Sequence, residues 1–371
     1  MPDDSFDAFD AALCSSGQQA GFEFLIRRFR DEKNYPALFE ARIMQRRLTL
    51  GLPLLQNGSL EDLPEDKRAL LEPAYIDAAR EAGALFLADG DIPRAWHYFR
   101  AIGETAPVAA AIEQAAPAEN QEAVIEIALQ ERVHPRKGFE LLLADYGICR
   151  AITFFEQYPD RKTRADCLRL LVHTLHRELV ENLKRTIAKT DGMAPDVSSV
   201  LELIAGRDWL FGPYDYYVDT SHVASILRFS LDVDDSETLA LAIELAEYGK
   251  RLSRNFQYRG EPPFEEYEDY AVYFRALMGE CADAAVAHFQ SKAAHEDPRT
   301  GETLVNLLTR LKRYSEAIDV SLTYLDPADA SRLECPSVFQ LCQMAGEYGR
   351  LRDLARGRGD LLNFAAASLQ R

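Results

Sequence analysis

Between residues 162 and 188 the apolar residues Leu168, Leu171, Val172, Leu175, Leu179, Leu183 and Ile187 follow one another at steps of three or four, with no glycine or proline among them. At about 100° per residue these side chains fall on one wide arc of a helix, and such a stripe is stable only against other helices. The same spacing recurs in Phe6, Phe9, Ala12 and Leu13, in Phe22, Leu25, Ile26 and Phe29, and in Leu38, Ile43 and Leu48. No stretch alternates with the period of two that a half-buried strand requires. The chain therefore reads as all-α.

Residues 72–107 carry a repeat-like unit. Gly83 and Phe86 lie on a first helix that ends at Gly90. Asp91 caps a second helix with Pro93 in its first turn, Ala95 and Phe99 follow, and Pro107 closes the unit. Small residues at 83 and 95 let two helices cross closely, and Phe99 fills the space beyond them. This pattern resembles the tetratricopeptide repeat, although Ala79 stands where that family places a tryptophan. Weaker copies lie at 264–298, through Ala285, Phe289 and Pro298, and at 301–327, through Tyr314, Ala317 and Pro327. The resemblance covers about a third of the chain. It implies stacked antiparallel helical hairpins, an α-solenoid whose concave face holds a peptide or protein segment, and it transfers no catalytic residue. Irregular longer helices are expected in the middle: Gln121–Arg132, Pro135–Tyr146, Ile148–Tyr158 and the 162–188 helix. Ser236–Tyr248 reads as a helix closed by Gly249, and residues 331–349 and 351–369 as terminal helices.

The turn-rich stretch from Lys189 to Pro195 is the best internal boundary. It separates an N-terminal helical repeat region, 1–190, from a C-terminal one, 197–371, which includes an aromatic loop at 209–218. Gly51–Lys67 and Phe256–Phe264 are the other candidate loops.

The 371 residues carry 60 acidic and 42 basic side chains, a net charge of −18. That field repels phosphate backbones and argues against a nucleic-acid partner. No apolar run reaches the roughly 18 residues that a membrane span needs. The first residues, MPDDSFDAFDAAL, are acidic where a signal peptide would be basic, so the chain is expected in the cytoplasm. The six cysteines form no CxxC pair and read as reduced, buried thiols.

No glycine-rich phosphate loop, GxSxG or HExxH motif is present, so chemistry here needs an assembled site. The densest candidate is 209–230. Trp209, Phe211, Tyr214, Tyr216 and Tyr217 crowd a loop broken by Gly212 and Pro213, and the loop runs into a helix start at Asp219, Thr220 and Ser221. Asp219 and His222 form a carboxylate–imidazole pair placed for acid–base catalysis. Tyr214, Tyr216, Tyr217, Thr220 and Ser221 would bind a ligand, and the free N–H groups of the helix start suit a small anion. His173 and His176 share a face of the long helix, with His176 inside the apolar arc, where a ring nitrogen needs a partner. With His222 they are the set that would ligate a divalent metal. This arrangement requires the aromatic loop to close over Asp219 and His222. The acidic-aromatic run Phe264–Phe274 is a third candidate, a groove for a basic peptide.

Two functions remain open from sequence. The first is a cytoplasmic helical-repeat scaffold holding a peptide or protein segment. The alternative is a small-molecule or metal-binding protein, or an enzyme, built around Tyr217, Asp219, His222, His173 and His176.

Overall fold

The computed structural model describes residues 5–55, 63–116, 121–158, 160–257, 263–264, 266–295, 298–325 and 334–370. About three quarters of these are helical and none is in a strand. Pro327, much of Gly51–Lys67 and the middle of Phe256–Phe264 lie outside the described residues. The chain divides into two compact units, Met1–Gly147 and Ile148–Arg371.

The first unit holds α1 (Ser5–Asp31), α2 (Tyr35–Thr49), α3 (Glu65–Ala88), α4 (Ile92–Ala101), α5 (Ala106–Glu113), α6 (Glu122–Leu129) and the first part of α7 (Pro135–Glu156). Helices adjacent in sequence pack on one another from α1 to α4. The α3–α4 hairpin is the repeat-like unit. Asp91 accepts the Arg94 N–H at 3.0 Å as the expected cap. Gly83 and Ala95 are both buried, but the close approach is between Gly83 and Phe99. A Cβ added at Gly83 would stand 2.7 Å from the Phe99 ring. Phe99 thus fills the crossing of its own hairpin and belongs to a core with Phe86, Ala95, Trp96, Val108 and Ile112. The α3–α4 turn is tied to the start of α2, because Asp89 accepts the Tyr35 hydroxyl and Lys33 Nζ, each at 2.7 Å.

The unit boundary falls inside α7, where Gly147 adopts φ 77°, ψ 177° and breaks the helix between the two segments predicted there. A residue with a side chain resists that left-handed φ. The Lys189–Pro195 stretch, chosen from sequence as the boundary, sits within the second unit. There α8 (Arg164–Asp191) ends in a left-handed Gly192, and the chain turns back so that α9 (Val200–Ile204) packs against α8.

The second unit continues with α10 (Thr220–Phe229), α11 (Ser236–Arg251), α12 (Tyr267–Leu277), α13 (Ala282–His295), α14 (Pro298–Arg310), α15 (Tyr314–Tyr324), α16 (Val338–Ala345), α17 (Tyr348–Gly357) and α18 (Leu361–Leu369). The stripe of α8 is wholly buried, against α9, α10 and α11. From α11 onward each helix packs on the next in sequence. Gly249 does not close α11, which runs on to Arg251. Its missing side chain instead admits the Tyr267 ring, 2.6 Å from where a Cβ would be. Residues 338–369 form three short helices where two were expected. Asp269, at 2% exposure, is held between α12 and α13 by His288 Nε2 and Lys292 Nζ, both at 2.7 Å.

Candidate functional site

The aromatic loop does not roof the start of α10. It is drawn onto α11 and α8 by backbone hydrogen bonds. The Tyr217 N–H donates to the hydroxyl of the fully buried Tyr248 at 2.9 Å, and Asn182 Nδ2 donates to the Tyr217 carbonyl at 2.7 Å. The Tyr217 hydroxyl turns back to the Leu210 carbonyl at 2.8 Å, and Ser253 Oγ donates to the Pro213 carbonyl at 3.2 Å. Burial, with Asp215 adding to it, pushes the Tyr217 phenol up. Tyr214 and Tyr216 are left facing solvent at 80% and 53% exposure, with Tyr216 resting on Phe256. Arg251 stacks over Phe211 and pairs with Asp208 at 2.5 Å.

Asp219 is exposed and acts as a helix cap. Its carboxylate accepts the Ser221 N–H at 2.9 Å and the Ser221 hydroxyl at 2.6 Å. The hydroxyl bond holds its pKa below the ordinary value, against a smaller opposing effect of burial. Asp219→Ala is expected to lower the free energy of unfolding by about 1 kcal/mol, as for other lost caps. Urea titration would measure this, and an unchanged midpoint would show the cap to be dispensable. The Thr220 carbonyl accepts the Tyr267 hydroxyl at 3.4 Å, so α12 covers part of this helix start. His222 is half-buried and lies near Glu178 of α8. Burial pushes the Glu178 carboxyl up, and the His222 imidazole pulls it back. Sequence spacing paired His222 with Asp219 three residues away and missed Glu178, which is distant in sequence.

His176 is buried as its place on the stripe predicted, and its Nε2 meets Glu244 Oε2 of α11 at 2.6 Å. The same carboxylate accepts the Ser199 hydroxyl at 2.5 Å and the Val200 N–H at 2.8 Å. Burial disfavours ionised Glu244, but these three donors outweigh it and hold the pKa below the ordinary value. The group ties α8, α9 and α11 together and commits His176 Nε2 to Glu244. His173 Nε2 is buried without a hydrogen-bond partner among the described residues. Among those residues no group of three or more His, Cys, Asp or Glu side chains could hold a metal ion, so His173, His176 and His222 do not assemble as a ligand set. In the Phe264–Phe274 run, Tyr267, Tyr270, Tyr273 and Phe274 are buried, so its aromatic face is core.

Concave sites occur elsewhere. In the first unit, a cavity of about 440 Å³ lies across α2, α3 and α4. Phe39 packs edge-on against Tyr75 and Tyr98, with centroids 5.2 and 5.4 Å apart, while Asn34, Glu40 and His97 line its border. Burial, reinforced by Glu40 and Tyr75, pushes the Tyr98 phenol up. In the second unit, a polar cleft of about 1080 Å³ is lined from the ends of α7, α8 and α10 and from α12 and α14. Asp219, His222, His173, His176 and the loop tyrosines line neither. Histidines and crowded aromatics stand out in a sequence, whereas these cavities are made by residues scattered over several helices.

No protein-family model matches the chain, and comparison with curated proteins and with solved structures finds no significant match.

Proposed function

We propose that the chain is a cytoplasmic helical-repeat scaffold that holds a segment of a partner protein, with the α2–α3–α4 groove as the binding surface. The repeat-like packing of α3 on α4 and the succession of neighbour-packed helices support a solenoid reading. Six unpaired cysteines fit a reducing compartment, although only Cys167 and Cys342 are buried as expected, while Cys14, Cys149 and Cys281 are exposed and Cys335 is half-buried.

The observation that carries the proposal is the half-buried Phe39–Tyr75–Tyr98 cluster opening beside polar groups. Aromatic residues that combine a rigid apolar body with a hydroxyl dominate the energetics of protein recognition. A cavity of about 440 Å³ admits one or two side chains of an extended segment. With Glu40 at its edge and a chain charge of −18, the segment would present an apolar anchor flanked by Lys or Arg.

Selection of random phage-displayed dodecapeptides on the immobilised chain is expected to enrich such sequences. Tyr98→Ala should weaken the best peptide by at least tenfold, and Glu40→Arg should weaken it while leaving the thermal midpoint unchanged, because Glu40 is exposed. Selected peptides that bind both variants as tightly as the parent would overturn the groove as the site.

A further inference from the structure

We infer that the cleft of the second unit is a binding site for a short peptide zwitterion, with a carboxylate seat at one side and an ammonium seat at the other. The inference rests on how the polar side chains that line the cleft are held. On the α8 and α10 side, Arg164 lies over the Phe155 ring at 4.1 Å, and Phe155 packs on Phe229 at 4.9 Å, with Arg228 over Phe229 at 5.1 Å. Two guanidinium groups thus lie over one pair of rings packed at a tilt of 52°. Arg228 is paired with Glu156 at 2.8 Å. Arg164 spends Nη1 on the Phe155 carbonyl at 2.9 Å, and no carboxylate pairs with it among the described residues. Its Nε and Nη2 remain as a fork suited to a carboxylate.

On the α14 side the bonding leaves acceptors. Asn306 donates Nδ2 to the Glu334 carbonyl at 3.2 Å, which leaves Oδ1 to accept. Glu302 accepts the Glu334 N–H on Oε2 at 3.1 Å, which leaves Oε1. An amide oxygen and a carboxylate oxygen one helical turn apart, at positions 302 and 306, suit an ammonium group. Arg310, which also lines the cleft, is already committed to Leu231 and Val233 carbonyls and to Asp234. It lines the cleft with buried Tyr273, its donors turned to those groups and not to the acceptors at 302 and 306.

The lining carries Arg164, Arg228 and Arg310 against Glu156, Asp232, Glu302 and Glu334, a formal balance of three positive to four negative. A polyanion meets net repulsion there, and a simple cation leaves Arg164 unanswered. A ligand with both charges answers both seats. The cleft volume of about 1080 Å³ exceeds what one amino acid fills and accommodates a few residues, with Phe229, Leu231 and Pro263 offering apolar wall.

Trialanine and its N-acetylated and C-amidated forms separate the seats, read by calorimetric titration on the full chain. Trialanine should bind, and each blocked form should bind at least tenfold more weakly, as expected for loss of a charge-assisted hydrogen bond. In Arg164→Gln, amidation should no longer matter while acetylation still does, and in Glu302→Gln the reverse. Circular dichroism of both variants checks that they remain folded. Blocked forms binding as tightly as the free peptide would overturn the inference, as would no binding of trialanine at millimolar concentration or the same loss pattern in both variants.

Discussion

Glu244→Ala is expected to lower the unfolding free energy by about 2–4 kcal/mol, since it strands His176, the Ser199 hydroxyl and the Val200 N–H in a largely buried place. The side chains of His176 and Glu244 retain 11% and 15% exposure, which keeps the figure below that of a fully buried pair. The effect depends on pH. Glu244 has a folded pKa below its ordinary 4.5, so its ionised form adds stability above that value, and this contribution is lost as pH falls through the folded pKa. Glu244→Gln should therefore cost stability at neutral pH and show a shallower loss on acidification below the ordinary carboxylate value. Urea titrations of the parent and both variants at neutral and acid pH would measure this. Equal slopes on acidification would show that the carboxylate charge is not what holds α8, α9 and α11 together.

Phe99→Ala should cost about 3–5 kcal/mol, the range for deleting a fully buried ring. Gly83→Ala should cost about 1–3 kcal/mol for a different reason, because the new methyl collides with the same ring. The two substitutions are coupled. Once the ring is gone the methyl has room, so the double variant should lose less than the sum of the singles. Strict additivity would show that Gly83 and Phe99 do not meet in solution, and with that the hairpin geometry behind the groove would fall.

Local rules made much of the secondary structure legible. The stripe of α8, the Asp91 cap, the Asp219 cap and the glycine break near residue 147 follow from spacing and backbone chemistry within a few residues. Burial of His176 was also legible, because its place on the apolar arc depends only on helical periodicity. Its partner was not. Glu244 lies 68 residues downstream, and nothing in either segment names the other. Spacing likewise paired Asp219 with His222, and the imidazole does lower the Asp219 pKa, but the hydrogen bonds of that carboxylate go to Ser221, and Glu178 of α8 also lies near the imidazole.

Sequence by itself determined that this chain is helical, which faces of the helices turn inward and where several of them begin and end. Those properties arise from hydrogen bonds and apolar spacing within a turn or two. Only the tertiary structure decided where the cavities lie and which charges remain unspent. The aromatic loop was free in sequence to close over Asp219, yet the Tyr248 hydroxyl and Asn182 hold it on α11 and α8. Arg164 and Glu302 carry no local mark that distinguishes them from other charged residues at helix surfaces. They line one cleft because α8 and α14 are packed into the same unit, a consequence of many long-range contacts that no single segment encodes.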